Sequence, residues 1–313
     1  MTRILITPRS LTSDPPVELD RLAANGFEPI FSTPGEMPDE AELLRLVPGC
    51  VGWLAGVEPV SEAVIEAASE LRVISRNGTG VDSLPLELLR RKGIALERAV
   101  GANATGVAEL AVGLMLSCCR HLPEISKGVA AGGWPRRRGR EIEGSTIGIV
   151  GMGAIGGKVA SVVSALGARV LAMDPARPPL GLLGGAVRYA GLDEVVRNAD
   201  FLTLHCPQPE DGRPIIHAET LERMKRGAIV INTARAALVD EEAMLEALDQ
   251  GRISHYATDV FSVEPPKSLA LAAHRNVIAT SHIGGLTDGS VSRATDAAVE
   301  NLLKHLVRDH AAA

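Results

Sequence analysis

Three glycines in one short segment have the spacing of a dinucleotide-binding turn. Gly151, Gly153 and Gly156 form a G-x-G-x-x-G pattern directly after a short apolar run. In such a pattern the first glycine permits a tight turn, the second lets the backbone approach a pyrophosphate, and the third allows close helix–strand packing. The helix predicted to begin at this turn starts with Ala154 and Ile155, and its free N–H groups would bind phosphate oxygens.

A carboxylate follows at the position that dinucleotide binding requires. The next predicted strand, Arg169–Met173, is followed directly by Asp174. Asp174 can accept hydrogen bonds from both ribose hydroxyls of adenosine and would repel a 2′-phosphate, so the pattern favours NAD over NADP. Arg177 would soften that preference. The alternative is a domain of the same shape that binds no dinucleotide, and the complete pattern favours binding.

Polar residues stand at the ends of the later predicted strands. These strands are Phe201–His205, Ala228–Asn232, Tyr256–Val260 and Val277–Thr280. The polar or turn-forming residues at or after their ends are His205, Pro207, Thr233, Arg235, Asp259, Glu264 and His282. Ligands of open parallel sheets bind beyond the carboxyl ends of the strands. Each residue alone could be a solvated loop residue or a helix cap, but the set together predicts a functional site.

Short β-branched runs alternate with helical patterns along most of the chain, which is typical of βαβ units. The first predicted strands are Ile4–Thr7, Glu28–Phe31, Val51–Leu54, Arg72–Ser75 and Ile94–Glu97. A buried helix is predicted over 105–120, and a terminal helix over 288–308 that returns to the first domain. We therefore expect an α/β fold with two doubly wound parallel-sheet domains, one flavodoxin-like (1–98 plus 287–313) and one Rossmann domain (99–286).

Composition narrows the classes of protein that fit. The 313 residues carry a net charge of −6, which argues against general nucleic-acid binding because that needs a basic surface. We find no apolar run long enough to span a membrane and no signal peptide at the N-terminus. Four cysteines without a C-x-x-C spacing predict free thiols, no metal site and a cytoplasmic protein.

Several motifs resemble those of one enzyme family when they are taken in order. Besides the glycine turn they are Asn77-Gly78-Thr79-Gly80-Val81-Asp82, Val107-Ala108-Glu109-Leu110, Asn232-Thr233-Ala234-Arg235, Asp259-Val260-Phe261-Ser262-Val263-Glu264-Pro265 and His282-Ile283-Gly284-Gly285. The chain resembles the D-2-hydroxyacid dehydrogenases, in the branch that is like 3-phosphoglycerate dehydrogenase. The resemblance implies a two-domain NAD-dependent oxidoreductase, a homodimer, that transfers hydride between nicotinamide and C2 of a 2-hydroxy or 2-oxo acid.

The resemblance also implies roles for single residues. Arg235 resembles the arginine that binds the substrate carboxylate and polarises the 2-oxo group, since a guanidinium suits bidentate carboxylate recognition. His282 resembles the general acid/base, with Glu264 as the carboxylate that raises its pKa and orients its ring.

The remaining family positions are divided between substrate and cofactor. Thr79 and Gly80 match the loop whose N–H groups hold the substrate carboxylate, and Asp259 matches a contact to the nicotinamide carboxamide. Implied cofactor contacts also include His205, Pro207, Thr233 and Gly284.

Departures from the family pattern concern the substrate. Phosphoglycerate dehydrogenases tend to carry a phosphate-binding arginine where this chain has Ala55, with Arg76 as a possible substitute. The alternatives are therefore a glyoxylate or hydroxypyruvate reductase and, outside the enzymes, an NAD-sensing, corepressor-like interaction protein. A formate dehydrogenase ranks lower. No serine-binding regulatory domain is expected.

Overall fold

The computed structural model describes residues 2–183 and 185–307 of the chain. Its contacts divide the chain into two compact units, of which one runs to Asn103 and resumes at Gly285, and the other is Ala104–Gly284. Every strand pair in both sheets is parallel. The predicted α/β class with two parallel sheets is confirmed.

The first unit contains a five-stranded sheet in the order β2-β1-β3-β4-β5. Its strands are β1 (Thr2–Ile6), β2 (Phe27–Phe31), β3 (Cys50–Ala55), β4 (Val73–Arg76) and β5 (Ala95–Arg98). The helices between them are α1 (Arg9–Ser13), α2 (Asp20–Ala24), α3 (Glu40–Leu46), α4 (Glu62–Ala67) and α5 (Leu86–Lys92). All five predicted strands are present, with ends within two residues of the predicted ones.

Local capping explains where these helices begin and end. Ser61 caps α4, as the sequence predicts, because its hydroxyl accepts the N–H of Val64 at 3.4 Å. Asp39 caps α3 by accepting the N–H of Glu42 at 2.8 Å. Gly93 ends α5 in the left-handed region, with φ of 69°, where a residue without Cβ carries no steric penalty.

The second unit contains a seven-stranded sheet in the order β12-β11-β10-β9-β6-β7-β8. Its strands are β6 (Thr146–Val150), β7 (Arg169–Met173), β8 (Val187–Tyr189), β9 (Phe201–Leu204), β10 (Ala228–Asn232), β11 (Ile253–Thr258) and β12 (Val277–Ala279). The helices are α6 (Ala104–Arg120), α7 (Leu122–Ala130), α8 (Ala154–Ala165), α9 (Leu192–Asn198), α10 (Ala218–Arg223) and α11 (Glu241–Asp249). The sequence predicted six strands here, and the three-residue strand β8 was missed.

The strand order reverses beside β6. Strand β6 pairs with β7 on one side and with β9 on the other. The chain therefore builds the sheet outward from β6 in one direction through β7 and β8, and in the opposite direction from β9 onward. A crevice forms at such a switch point, beyond the carboxyl ends of the strands, and it is where doubly wound sheets bind ligands. The glycine turn after β6 and His205 after β9 both lie there.

Helix α6 is buried along most of its length, as predicted. Ala111, Met115 and Cys118 are buried in one core cluster with Ile147 of the sheet. Leu116, at 40% exposure, and Glu109 lie on the exposed side of the helix. The following helix α7 was not predicted, and no residue in it is buried.

A last helix, α12 (Asp288–Leu306), returns to the first unit. Ala298, Val299 and Leu302 are fully buried in the same cluster as Ile4 and Leu54 of the first sheet. This confirms the predicted terminal helix, although its predicted end, Arg308, lies outside the described residues.

Candidate active site

The glycine turn is built as its spacing predicts. Gly151 has φ of 96°, and a Cβ there would lie 2.5 Å from the carbonyl oxygen of His205. A Cβ on Gly156 would collide with the carbonyl of Gly151, so this glycine allows α8 to approach the strand. No side chain caps the helix at Gly153, and a Cβ there would meet nothing within 4 Å. The first N–H groups of α8, at Ala154 and Ile155, therefore face a space that suits a phosphate.

Asp174 lies directly after β7 and is fixed to the glycine turn. One carboxylate oxygen accepts the N–H of Met152 at 2.7 Å, and the other accepts the N–H of Ala176 at 2.8 Å. Two carboxylate oxygens offer about four acceptor positions, so Asp174 retains capacity for ribose hydroxyls. Asp174 therefore lies beside the glycine turn, at the carboxyl end of β7.

His205 and Thr233 each bring an unsatisfied polar atom to the same edge of the sheet. His205 Nε2 lies 2.9 Å from the hydroxyl of Thr203. Among the described residues, His205 Nδ1 and the hydroxyl of Thr233 are buried without a hydrogen-bond partner. Burial lowers the pKa of His205 to about 3, so the ring is neutral at physiological pH. Pro207, two residues on, is exposed. Orphaned polar atoms beside an uncapped helix fit a bound dinucleotide.

Arg235 is positioned by an asparagine that the sequence analysis did not single out. Asn232, the fully buried last residue of β10, donates from its side chain to the carbonyl of Arg235 at 2.8 Å and accepts the N–H of Ala234 at 3.1 Å. Arg235 is half-buried, and its Nη1 donates to the carbonyl of Ala234 at 2.8 Å. An asparagine ending an apolar strand is the signal for such a turn, because its side chain readily bonds nearby backbone.

His282 and Glu264 form the pair that the sequence predicts. His282 Nδ1 lies 2.8 Å from Glu264 Oε2, and Glu264 Oε1 accepts the N–H of Phe261 at 3.1 Å. The hydrogen bond to Glu264 raises the pKa of His282 above its ordinary value, while burial opposes the rise. The charges of Glu264 and Asp259 also raise this pKa, and the charge of Arg235 lowers it. The histidine is therefore biased towards the imidazolium form.

Asp259 holds the segment that carries His282. Its carboxylate is 2% exposed and accepts from the hydroxyl of Thr280 at 2.6 Å and from the N–H groups of Ile283 at 2.9 Å and Gly284 at 2.8 Å. His282 itself has φ of 58°, a left-handed conformation that costs a non-glycine residue roughly 1–3 kcal/mol. The three bonds to Asp259 keep His282 in this conformation. Sequence analysis assigned Asp259 a cofactor contact and did not detect this positioning role.

Thr79 and Gly80 lie in the first unit, whereas every other predicted site residue lies in the second. They belong to the segment after β4 (77–85, here the β4 loop), which neighbours the segment after β3 (56–61, here the β3 loop). Arg76 is 6% exposed and donates from Nε to the carbonyl of Gly80 at 2.7 Å and from Nη1 to the carbonyl of Ala55 at 3.3 Å. Arg76 thus shapes both loops.

The described residues contain neither a candidate metal site nor a helix that could span a membrane. No group of three histidine, cysteine, aspartate or glutamate side chains within residues 2–183 and 185–307 could hold a metal ion. In the same part of the chain, every helix is too short or too polar to cross a lipid bilayer.

Comparison with known proteins identifies the family of the chain. Residues 112–284 match the D-isomer specific 2-hydroxyacid dehydrogenase, NAD binding domain. A hydroxypyruvate reductase of Thermotoga maritima is 37% identical over 274 residues, which cover 86% of this chain and 89% of that protein. A D-3-phosphoglycerate dehydrogenase of Methanocaldococcus jannaschii is 39% identical over 250 residues, which cover 79% of this chain but only 48% of that longer protein.

Among solved structures, a protein from Thermus thermophilus superimposes with a TM-score of 0.89 and 35% identity, over 98% of this chain and 97% of that one. The matched NAD-binding domain and the relatives point to one family. The glycine turn with Asp174 and His205 (here the nucleotide edge) has a geometry in keeping with that family. The chain belongs to the D-isomer specific 2-hydroxyacid dehydrogenase family, and its second unit carries that family's NAD-binding domain.

Proposed function

We propose that Arg235, Glu264 and His282 carry the proton and substrate-binding chemistry of an NAD-dependent D-2-hydroxyacid dehydrogenase. The observation that carries this proposal is the 2.8 Å contact between His282 and Glu264, in the same unit as the glycine turn. A corepressor-like NAD sensor would need only the nucleotide edge, so the intact His–Glu pair favours an enzyme.

The chain's residues divide the work of 2-oxo acid reduction. NADH supplies the hydride that reaches C2 of the substrate. Arg235 binds the substrate carboxylate and polarises the 2-oxo group, since its fork of donors matches two oxygens. His282 gives a proton to the substrate oxygen from Nε2, the ring nitrogen that does not face Glu264. In the oxidation direction the neutral ring takes that proton back.

The second unit supplies the nucleotide site in this proposal. The N–H groups of Ala154 and Ile155 bind the pyrophosphate beside Gly151, Gly153 and Gly156. Asp174 would hold the adenosine ribose. The nicotinamide half would be lined by His205, Pro207, Thr233, Asp259 and Gly284. Two buried atoms without a hydrogen-bond partner among the described residues, His205 Nδ1 and the Thr233 hydroxyl, would there bind polar atoms of the cofactor.

We assign Thr79 and Gly80, which belong to the first unit, to binding of the substrate carboxylate through their N–H groups. We assign residues 1–98 plus 287–313 to the substrate domain and 99–286 to the nucleotide domain. The two compact units support that division, because their borders fall in the same connecting segments, between β5 and α6 and between β12 and α12.

A homodimer would use α7 and the segment after it. Helix α7 buries no residue, Leu122 is 50% exposed, and Trp134 is 83% exposed, which makes an apolar surface suited to a second copy of the chain. Light scattering tests this: we expect a dimer that Trp134→Asp weakens. A native monomer would contradict it.

We also propose a cytoplasmic protein that acts on small molecules and not on nucleic acid. The four cysteines are free thiols, in keeping with a reducing compartment. The net charge of −6 disfavours binding to a polyanion.

The experiment that tests the proposed reaction is NADH oxidation, followed by absorbance, with phosphohydroxypyruvate, hydroxypyruvate, glyoxylate and pyruvate. The same acids are tested with NADPH, because Asp174 is expected to repel the 2′-phosphate of that cofactor. We expect turnover of at least one acid, with NADH preferred. Tight NADH binding without turnover of any acid would favour the sensor instead.

A further inference from the structure

The two loops at the carboxyl edge of the first sheet are joined at both ends. The N–H of Asn77 donates to the carbonyl of Ala55 at 2.9 Å, and the N–H of Val60 donates to the carbonyl of Ser83 at 2.9 Å. The β3 loop therefore borders the β4 loop, which carries Thr79 and Gly80. If those two residues bind the substrate carboxylate, as proposed above, the β3 loop lies beside the rest of the substrate.

Charge in this loop pair is negative. Residues 56–61 and 77–85 contain Glu58 and Asp82 but neither lysine nor arginine. Arg76, at the end of β4, is buried and donates to the carbonyls of Ala55 and Gly80.

Glu58 is a buried carboxylate held by the β3 loop itself. It is 2% exposed, and its Oε1 accepts the N–H of Gly56 at 3.0 Å and the hydroxyl of Thr7. The Thr7 hydroxyl in turn accepts the indole N–H of Trp53 at 2.9 Å, which leaves its own proton for Glu58. A Cβ on Gly56 would lie 2.5 Å from Glu58 Oε2, so the loop fits closely around the carboxylate.

The Gly56 N–H is the first backbone donor after β3. Backbone N–H groups in loops at this edge of a sheet are natural donors for an anionic group. Here the protein's own carboxylate accepts that donor, in the place that a phosphate oxygen would otherwise take. A phosphorylated substrate would find this donor engaged and would also meet a like charge, which burial leaves less screened by water and salt.

We propose that Glu58 is a specificity-determining residue that excludes phosphorylated 2-oxo acids, so that the substrate carries an uncharged substituent beyond C2. This inference rests on the proposed dehydrogenase function and names the substrate class of the same site. The chain then reduces unphosphorylated short 2-oxo acids, such as hydroxypyruvate or glyoxylate.

The test is a ratio of kcat/KM values for hydroxypyruvate and phosphohydroxypyruvate, measured with the full chain and NADH. The native enzyme is expected to favour hydroxypyruvate by at least about 100-fold, because like-charge contacts strongly disfavour a wrong partner. Glu58→Gln keeps the size of the side chain and removes its charge, and it should lower that ratio by roughly 10-fold or more. The exposed Glu62→Gln removes the same charge four residues on and should leave the ratio unchanged.

The outcomes separate this inference from the function on which it rests. A native enzyme that prefers phosphohydroxypyruvate, or a Glu58→Gln ratio equal to the native ratio, overturns the role of Glu58 and leaves the dehydrogenase intact. Failure to turn over any 2-oxo acid overturns the proposed function and this inference with it. Melting temperatures of the variants show whether Glu58→Gln folds. A purely structural role for Glu58 would change both kcat/KM values together and leave their ratio unchanged.

Discussion

The charge state of His282 depends on the carboxylate of Glu264. Glu264 accepts a hydrogen bond from the ring and raises the pKa of His282, so the imidazolium persists to higher pH than in an isolated histidine. Reduction of a 2-oxo acid needs this protonated ring. The rate of reduction should therefore fall only as the pH rises through the raised pKa.

Glu264→Gln tests this coupling. The variant removes the carboxylate that raises the pKa of His282, so the alkaline fall in kcat/KM for reduction should move to lower pH, and the rate should drop by about 10- to 100-fold. The pH–rate profile of the variant is measured against that of Glu242→Gln, an exposed carboxylate on α11. An unmoved alkaline limb in Glu264→Gln would contradict the role of Glu264.

Sequence reasoning placed several single residues correctly in the fold when the residue type was itself informative, and their roles stay predictions. The three glycines, Asp174 and the His282–Glu264 pair lie where their spacing and the family resemblance predicted. It did not detect the bonds of Asp259 to the segment around His282, since these join residues that only the fold brings together. No periodicity in the sequence signals a backbone N–H that points at a distant carboxylate.

At the scale of elements, the turn between β6 and α8 depends on glycine at two backbone positions. Gly151→Ala would force a Cβ into a left-handed conformation and against the carbonyl of His205. We expect NADH affinity to fall by roughly 10-fold or more and the protein to lose about 1–3 kcal/mol of stability. Both quantities are measured by NADH titration and thermal unfolding.

Gly157→Ala is the matched control, because this helical glycine has nothing within 4 Å of an added Cβ. Alanine favours a helix by about 1 kcal/mol over glycine, so this variant should be as stable as the native protein or more so. If Gly151→Ala behaved like Gly157→Ala, the turn would not require glycine.

The ends of β11 and β12 are linked through Asp259. Asp259→Asn places an amide N–H₂ where the carboxylate now accepts N–H groups, so at least one buried bond is lost, at a cost of about 1–3 kcal/mol. We expect a lower melting temperature and a kcat reduced by about 10-fold, because His282 loses its fixed conformation.

Asp240→Asn is the control, because it makes the same replacement of a carboxylate by an amide at another position. Asp240 caps α11 by accepting two N–H groups, and asparagine caps a helix equally well. Native kcat and melting temperature in Asp259→Asn would show that the carboxylate does not hold the segment.

Some elements could not be predicted from the sequence because their local pattern is weak. Strand β8 has only three residues and follows a Gly/Pro-rich stretch. Strand β4 ends at Arg76. The predicted end is one residue earlier, because the apolar pattern of a buried strand does not include an arginine. The structure explains it, since the buried guanidinium bonds backbone carbonyls on both sides. By contrast, the apolar strands β6, β7 and β10 have the predicted boundaries.

At the scale of the whole molecule, the first unit is completed by the end of the chain. Leu302 of α12 is fully buried against the sheet, and the helix approaches closely at Gly52, where a Cβ would lie 3.3 Å from Leu302 and 3.0 Å from Leu306. Exposed ion pairs also join Arg21 of α2 to Asp296 and Glu300 of α12, each at 2.5 Å. Exposed pairs of this kind contribute little, so the apolar face dominates.

Leu302→Ala should therefore destabilise the first unit by about 2–5 kcal/mol. Urea unfolding is followed by fluorescence, in which Trp53, fully buried in the first unit, gives the main change, since Trp134 is already 83% exposed. Val17→Ala, at a position 78% exposed in the same unit, is the control and should change stability little. An equal midpoint for both variants would show that α12 does not stabilise this unit.

The central claim is that His282 transfers the proton while the nucleotide edge binds the cofactor independently of it. Its most direct test is His282→Ala, assayed for NADH oxidation with the best 2-oxo acid and titrated with NADH in the absence of substrate. We predict that kcat falls by about 10²- to 10⁴-fold while the Kd for NADH stays within a factor of about three. A variant that keeps native turnover would contradict the assignment of His282 as the acid/base.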